Sequence, residues 1–388
     1  MDQKNNGAAI LVESKLCDLN WIRLDDPPVP PLGAPLTVVD LFCGCGGLSL
    51  GAREAAHSHG RPLEVGLAVD LFDSAMDVFR ANFTEDPEVA RLQDIQEVFP
   101  GDLGAPLEAV ERDLRKTVTR PHVIMAGPPC QGHSDLNNHT RRNDPRNMLY
   151  LKVVRAVEVL RPKAVIIENV PTVIHDQNGV TLESRQFFES QNYDVVDFTL
   201  KAQNIGLAQK RTRHFLLATS AGGPFNVDAF MKAIDASVKT VRDYIADIED
   251  ENQNRDGLYY KPAGMMSQNR ERVKFLFDNN CYDLPNEHRP KCHRDKSHSY
   301  VSMYGRMHYD KPAQTITSGF GSMGQGRFVH PSRRRTITPH EAARLQGFPD
   351  FFDFSPVIRR THLQEVIGNA VPPRIGALLV NHLLNYHL

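Results

Sequence analysis

Short apolar runs of strand length alternate with helix-length segments between Thr37 and Thr219, and that rhythm admits few folds. Residues 37–42, 63–69, 122–126, 164–168, 193–200 and 214–219 read as strands, with a weaker one ahead of Asp94. Residues 48–56, 74–82, 105–118, 147–160 and 181–191 read as helices. A chain that returns to each strand through a helix builds a mostly parallel sheet covered on both faces. The expected class is therefore α/β, doubly wound. Ligands of such sheets sit beyond the carboxyl ends of the strands, and the chemically pointed residues of this chain fall there.

The alternation stops near Gly222. Residues 235–248 look helical, and 252–335 look irregular and rich in Gly, Pro, His and Tyr. Thr338 caps a helix over 338–346, with Pro339 in its first turn and Glu341 completing a capping box. Gly368-Asn369-Ala370-Val371-Pro372-Pro373 is expected to open an apolar terminal helix over 375–384. Ahead of the alternation, the prolines of 25–35 form an extended lead-in, and Trp21 is expected to pin this arm to the body. The divisions are 1–35, 36–225, 226–332 and 333–388. Residues 253–335 hold 15 Lys and Arg against 7 Asp and Glu, although all 388 residues together carry −2. The net charge of −2 by itself argues against a crude polyanion binder, and the asymmetry implies one basic face on an otherwise acidic body. No apolar run is long enough to span a bilayer, and the start lacks a secretory profile. Six cysteines without regular spacing read as reduced thiols, so a cytoplasmic location is expected.

The strand at 122–126 is broken by Gly127-Pro128-Pro129, and the next residues are Cys130, Gln131, Gly132, His133 and Ser134. A thiol on a loop at a strand's end can meet a ligand, and its thiolate is a strong nucleophile. The first strand leads into Asp40-Leu41-Phe42-Cys43-Gly44-Cys45-Gly46-Gly47-Leu48. Strand, glycine-rich turn and helix in that order let a nucleotide approach the backbone. The full G-x-G-x-x-G is missing, as is the Lys-Ser/Thr ending of a phosphate loop. A cofactor without a pyrophosphate fits better, and a dinucleotide oxidoreductase fits poorly. Asp70 ends the second strand, where a carboxylate accepts ribose hydroxyls. Asp94 lies near the end of the third, within reach of an adenine amino group. S-adenosylmethionine, a nucleoside bearing a sulfonium, suits this combination. Glu168 closes a buried strand, where a carboxylate is costly unless used or paired. After Gln209, Arg211 and Arg213 alternate on an extended segment and so point the same way. Two fixed guanidinium groups suit phosphate or a base carbonyl.

Together these blocks resemble the DNA (cytosine-5) methyltransferases, in family order from Thr37 onward except for about 222–310. The resemblance implies a seven-stranded class I methyltransferase sheet over 36–225, a smaller irregular target-recognition domain over 226–332, and a return to the catalytic domain over 333–388. It is of the bacterial restriction-modification type. It implies that Cys130 adds to C6 of the target cytosine, that Glu168 holds the N3 side of the ring, and that Arg213 contacts O2 while Arg211 and Gln209 order the site. Phe42, Gly44, Gly46, Gly47, Leu48, Asp70, Leu71, Asp94, Ile95, Pro128, Leu149, Asn369 and Val371 match positions around S-adenosylmethionine, whose product is S-adenosylhomocysteine. The chain departs at Leu71, where many relatives carry an aromatic residue, and at His133, where Phe is common.

Such chemistry needs the base extruded from the duplex. The loop carrying Gln131, Ser134, Arg141, Arg142 and Arg146 is expected to close over it. In the variable segment, Arg289, Lys291, Arg294, Arg306 and Arg327 are expected to meet phosphates or guanines, with Tyr300, Tyr304 and Tyr309 stacking or hydrogen-bonding. Gly319, Gly321, Gly324 and Gly326 are expected to permit close backbone approach. The implied partners are double-stranded DNA and, in function, a cognate restriction endonuclease, for a monomeric chain with no membrane. Cys281, His288, Cys292, His293 and His298 match no standard zinc spacing, so no metal is expected. A tRNA-directed relative is disfavoured because its Cys-Phe-Thr signature is absent. An inactive DNA-binding homologue is disfavoured by the intact Cys130, Glu168 and Arg213.

Overall fold

The computed structural model describes residues 16–129, 148–176, 179–234, 237–248, 256–294 and 302–388. Its strands are β1 Leu36–Leu41, β2 Leu63–Asp70, β3 Ala90–Leu92, β4 Val123–Ala126, β5 Ala164–Asn169, β6 Asp194–Lys201, β7 Gln209–Lys210, β8 Thr212–Thr219 and β9 Ala313–Gln314. Seven of them form one sheet in the order β3-β2-β1-β4-β5-β8-β6, and β7 pairs apart with β9. Neighbours from β3 through β5 run parallel. β8 alone is reversed, inserted antiparallel between β5 and β6.

The helices are α1 Gly47–Ser58, α2 Asp73–Asn82, α3 Ile95–Val98, α4 Ala109–Thr117, α5 Leu149–Leu160, α6 Val180–Ser190, α7 Val227–Ala233, α8 Val241–Ile245, α9 Ser267–Asp278, α10 Lys291–Arg294, α11 Pro339–Gln346, α12 Arg360–Asn369 and α13 Pro373–Tyr386. Strand side chains alternate between two cores, as the period of two requires. On β4, Val123 and Met125 join α1 and α13 on one face, while Ile124 and Ala126 join α5 and α6 on the other. Strands buried on both faces explain the uninterrupted apolar runs. α1 and α13 meet backbone to backbone: a side chain at Gly51 would stand 2.1 Å from the Pro373 carbonyl oxygen, and one at Gly376 2.7 Å from that of Leu48.

Several expectations are corrected. The helix expected from 105 begins at Ala109, because Glu108 supplies the cap: its N–H donates to Glu111 Oε2 at 2.9 Å. Of the single helix expected over 235–248, the described residues form only α8, started by Thr240, whose N–H donates to Asp243 Oδ2 at 2.7 Å; α7 ends ahead of that span, at Ala233. Of the residues expected to open the last helix, Gly368 and Asn369 instead close α12, while Pro372 caps α13 and Pro373 starts it. The stretch 252–335 is not wholly irregular. It carries α9, whose Val273 and Leu276 pack with Leu284, Met303, Tyr304, Met323 and Val329 in a small core of their own. At the start of the chain Trp21 meets Phe351 edge-on at 5.7 Å. The backbone of Ile22 and Leu24 accepts bonds from Asp350 and Phe351, which fastens the arm.

Candidate active site

The carboxyl ends of β1, β4 and β5 bring the chemically pointed residues together. Glu168, on β5, is only 7% exposed, and its Oε1 lies 2.7 Å from Arg213 Nε. The antiparallel placement of β8 makes this contact, since the start of β8 lies beside the end of β5, with Phe215 opposite Glu168. A side chain at Gly127 would stand 3.8 Å from Glu168 Oε2 and from the Phe42 carbonyl oxygen, so the Gly127-Pro128-Pro129 break sits directly against both. Asn169 holds that break from the other side, its Nδ2 donating to the Pro128 carbonyl at 3.3 Å. Sequence reasoning gave Asn169 no role; its position after Glu168 was the available signal. Cys130, Gln131, Ser134, Arg141, Arg142 and Arg146 lie outside the described residues.

The glycine-rich turn after β1 is shaped by the neighbouring strand. Asp70 Oδ2 accepts the Gly44 N–H and Oδ1 the Phe72 N–H, each at 2.8 Å, so one carboxylate ties two loops together. Burial raises the Asp70 pKa, against the pull of these backbone bonds. Phe42 has φ 55, a left-handed conformation uncommon for an aromatic residue and typical of over-determined functional turns. Gly44 also has positive φ, and its open side faces nothing within 4 Å. Gly47 has no such room: a side chain there would lie 2.0 Å from the Val371 carbonyl oxygen. Leu48 and Ile95 are buried behind the turn, while Leu71 is 65% exposed at its mouth. Asp94 is the N-cap of α3, accepting the Gln96 N–H at 2.9 Å. Gly46 caps α1, Leu149 begins α5, Asn369 ends α12, and Pro128 is buried. Asp40 was quoted without a role. It is buried beneath the turn, bonded to Ser49 Oγ at 2.6 Å, and burial pushes its pKa up to about 7. An open glycine edge, an exposed aliphatic wall and a strand-end carboxylate fit a nucleoside without a phosphate chain.

Gln209 and Arg211 bond to segments from later in the chain. Gln209 is wholly buried, donating to the Leu345 carbonyl at 3.0 Å and to Gln346 Oε1 at 2.7 Å. Arg211 donates to the carbonyls of Ile316 and Gly368, both at 3.3 Å. The two arginines expected to point the same way therefore have separate partners: Arg213 meets Glu168, and Arg211 clamps β9's flank to α12.

In the variable segment, Arg289 Nε donates to the Leu284 carbonyl at 3.1 Å, and Arg294, exposed, donates to that of Arg289 at 3.0 Å. Arg306 lies over the rings of Phe277 and Tyr282, at 4.3 and 4.9 Å, and bonds the Pro331 carbonyl. Arg327 binds the Tyr282 and Arg306 carbonyls and pairs with Asp283. Tyr304, expected to stack on bases, is a core residue at 5% exposure; Tyr309 bonds Ser332, and Tyr300 lies outside the described residues. Gly321 and Gly326 press on Gln364 and Gln314 of the protein itself. Among the described residues no three His, Cys, Asp or Glu side chains gather as a metal site. His288 stacks on Phe275 and His293 bonds the Tyr304 hydroxyl. No described helix is long and apolar enough to cross a membrane.

Comparison with known proteins agrees with this geometry. The C-5 cytosine-specific DNA methylase family matches residues 36–385. The chain is 42% identical over 374 residues to type II methyltransferase M1.BsuMI of Bacillus subtilis (strain 168), covering 95% of this chain and 86% of that protein. It is 30% identical over 357 residues to type II methyltransferase M1.HphI of Haemophilus parahaemolyticus, covering 90% and 87%. Among solved structures, the S. pombe Dnmt2 methyltransferase superposes with a TM-score of 0.64 at 18% identity, over 90% of this chain and 98% of that one, a likeness of fold alone.

Proposed function

The chain belongs to the C-5 cytosine-specific DNA methylase family and is a DNA (cytosine-5)-methyltransferase, and on that premise we propose how its residues carry the reaction. S-adenosylmethionine, when bound, supplies an electrophilic methyl group on sulfur. Phe42, Gly44, Gly47 and Leu71 border its seat, with Asp70 at the ribose, Asp94 and Ile95 at the adenine, and Asn369 and Val371 closing the far side. The Cys130 thiolate adds to C6 of the cytosine, which turns the unreactive C5 into an enamine-like nucleophile. Glu168 bonds the N3 side of the ring and stabilises the adduct, and Arg213 bonds O2 while holding Glu168 in place. After methylation at C5, loss of the C5 proton expels Cys130 and restores the ring. C6 is shielded within a stacked duplex, so the base is extruded first, and the loop carrying Gln131, Ser134, Arg141 and Arg142 covers it.

Residues 226–332 select the sequence, with Arg289 and Arg294 toward DNA and Arg306 and Arg327 framing the segment. Residues 36–225 and 333–388 form the catalytic part. The protein acts as a monomer on cytoplasmic DNA, paired in function with a restriction endonuclease. The observation that carries this reading is the 2.7 Å Arg213–Glu168 pair set against the Gly127 break that leads into Cys130. A duplex with 5-fluorocytosine at the target should trap a covalent complex, because fluorine does not leave as a proton does. Cys130→Ser should abolish the complex and turnover while keeping cofactor binding. An adduct that persists in the variant would refute the assignment.

A further inference from the structure

We propose that the amino-terminal end of the sheet, opposite the active site, holds a binding site for a compact polyphosphate. Arg115, Thr119, Arg120, Leu160 and Arg161 line one cavity of about 380 Å³. It lies where α4 and α5 end and just ahead of β4 and β5, at the amino ends of those strands. The strands themselves separate it from Glu168 at the other end of β5. All three arginines are exposed. Among the described residues, none of the three guanidinium groups has a hydrogen bond or ion pair. No carboxylate lines the cavity. The acids on α4 and α5 have partners of their own: Asp113 pairs with Lys116 at 2.6 Å, and Glu111 and Glu158 both bind Arg155.

The backbone gives a second, independent sign. Arg120 and Arg161 have φ of 40 and 51, in the left-handed region where a side chain is unfavourable and glycine is not. Arg161 is the C-cap residue of α5, and left-handed residues at helix ends are most often glycine. A side chain retained where the backbone resists it points to a use for that side chain. A cation in the last turn of a helix offsets the helix dipole. That accounts for Arg115 on α4 and for Arg161 at the end of α5, but not for Arg120, which lies beyond α4. Tyr193 reports that the charges converge. Its hydroxyl bonds the Pro162 carbonyl at 2.5 Å, and burial raises its pKa to about 12 while the charges of Arg120 and Arg161 pull the other way.

Three guanidinium forks around one small concavity match an anion that concentrates several charges. Each fork takes two oxygens of a phosphate at once. The ligand is therefore a chain of two or three phosphates, either inorganic or the tail of a nucleotide. The test is calorimetric titration of the full chain with inorganic tripolyphosphate and with ATP. The same titrations are run on the Arg120→Gly, Arg161→Gly double variant. Glycine suits both backbones, so the variant should melt no lower than the wild type and methylate DNA at the same rate. Saturable wild-type binding that falls at least about tenfold in the variant supports the site. Equal affinity of ATP and tripolyphosphate assigns recognition to the phosphate chain, and tighter ATP assigns it to a nucleotide. No saturable binding, or equal binding by wild type and variant, overturns the proposal. So does a variant that loses affinity for duplex DNA alone, since the arginines would then belong to a DNA surface.

Discussion

Replacing Glu341 with Gln should lower the stability of the protein by about 3–5 kcal/mol, the usual cost of leaving a buried charge without its partner. Glu341 is wholly buried on α11. Arg335 reaches both its oxygens at 2.8 Å, the Thr338 N–H donates to Oε2 at 2.9 Å, and Arg333 stands 3.6 Å from Oε1. His330 Nε2 lies 3.2 Å from Oε1. The His330 Nδ1 accepts the N–H groups of Ser332 and Arg333 at 3.1 and 3.0 Å, so the ring's proton sits on Nε2 and faces the carboxylate. Burial lowers the His330 pKa, so the ring is neutral at pH 7 and Arg335 and Arg333 carry the balancing charge. Glutamine keeps the shape, but its amide nitrogen turns a donor toward Arg335, whose side chain is only 13% exposed. Hydrogen bonds and charge from Arg335 and His330 hold the Glu341 carboxyl well below the usual range despite its burial. Its stabilisation is therefore complete above the unfolded carboxylate pKa of about 4.3 and is lost as pH falls toward the folded value. Urea unfolding followed by circular dichroism should show a constant gap between wild type and variant from pH 8 to 5, narrowing below. A gap under about 1 kcal/mol at pH 7, or one that widens in acid, would refute the reasoning.

Three further outcomes are expected. Gly47→Ala places a methyl group 2.0 Å from the Val371 carbonyl oxygen, and it should weaken S-adenosylmethionine binding by about 1–3 kcal/mol while duplex binding persists; normal affinity in a calorimetric titration refutes this. Burial, with a smaller contribution from His387, lowers the His382 pKa from 6.5 to about 4. The unfolded chain then binds the extra proton, so stability falls as pH drops from 6.5 toward 4 and levels below. His382→Leu should remove that part of the thermal-midpoint profile, and parallel profiles would exclude His382 as its source. Exchanging residues 253–332 for those of a relative should change the methylated sequence and keep the chemistry; bisulfite sequencing that still finds the original site would place recognition elsewhere.

The doubly wound sheet was legible because strands buried on both faces, such as Val123–Ala126, leave apolar runs no surface element can carry. Helix starts were legible where a side chain writes the cap, as at Thr338, and misplaced where a chain-end pair such as Gly368-Asn369 can close one helix or precede another. The strand-end carboxylates Asp70 and Glu168 were found because charge at the end of an apolar run is anomalous in itself. The fate of the arginines was not legible. Arg213 and Arg211 are two residues apart, yet one finds a carboxylate and the other two carbonyls from distant segments. Arg306 and Arg327 show the same limit, for a sequence displays their charge but not the rings and carbonyls that surround it. The core around α9 was missed because its apolar members come from scattered segments without a local period.

The seam between α1 and α13 sets a timetable. The glycine-rich turn and α1 are translated early, yet their outer wall is Val371 and the first turn of α13, made more than 300 residues later. Until the ribosome has passed Pro373, the Gly47 and Gly51 backbones have nothing to press against. The sheet strands can pair well before then. The growing chain thus holds most of its sheet before the wall beside Gly47 and Gly51 is made, and on the proposed reading the seat for S-adenosylmethionine is completed late in synthesis.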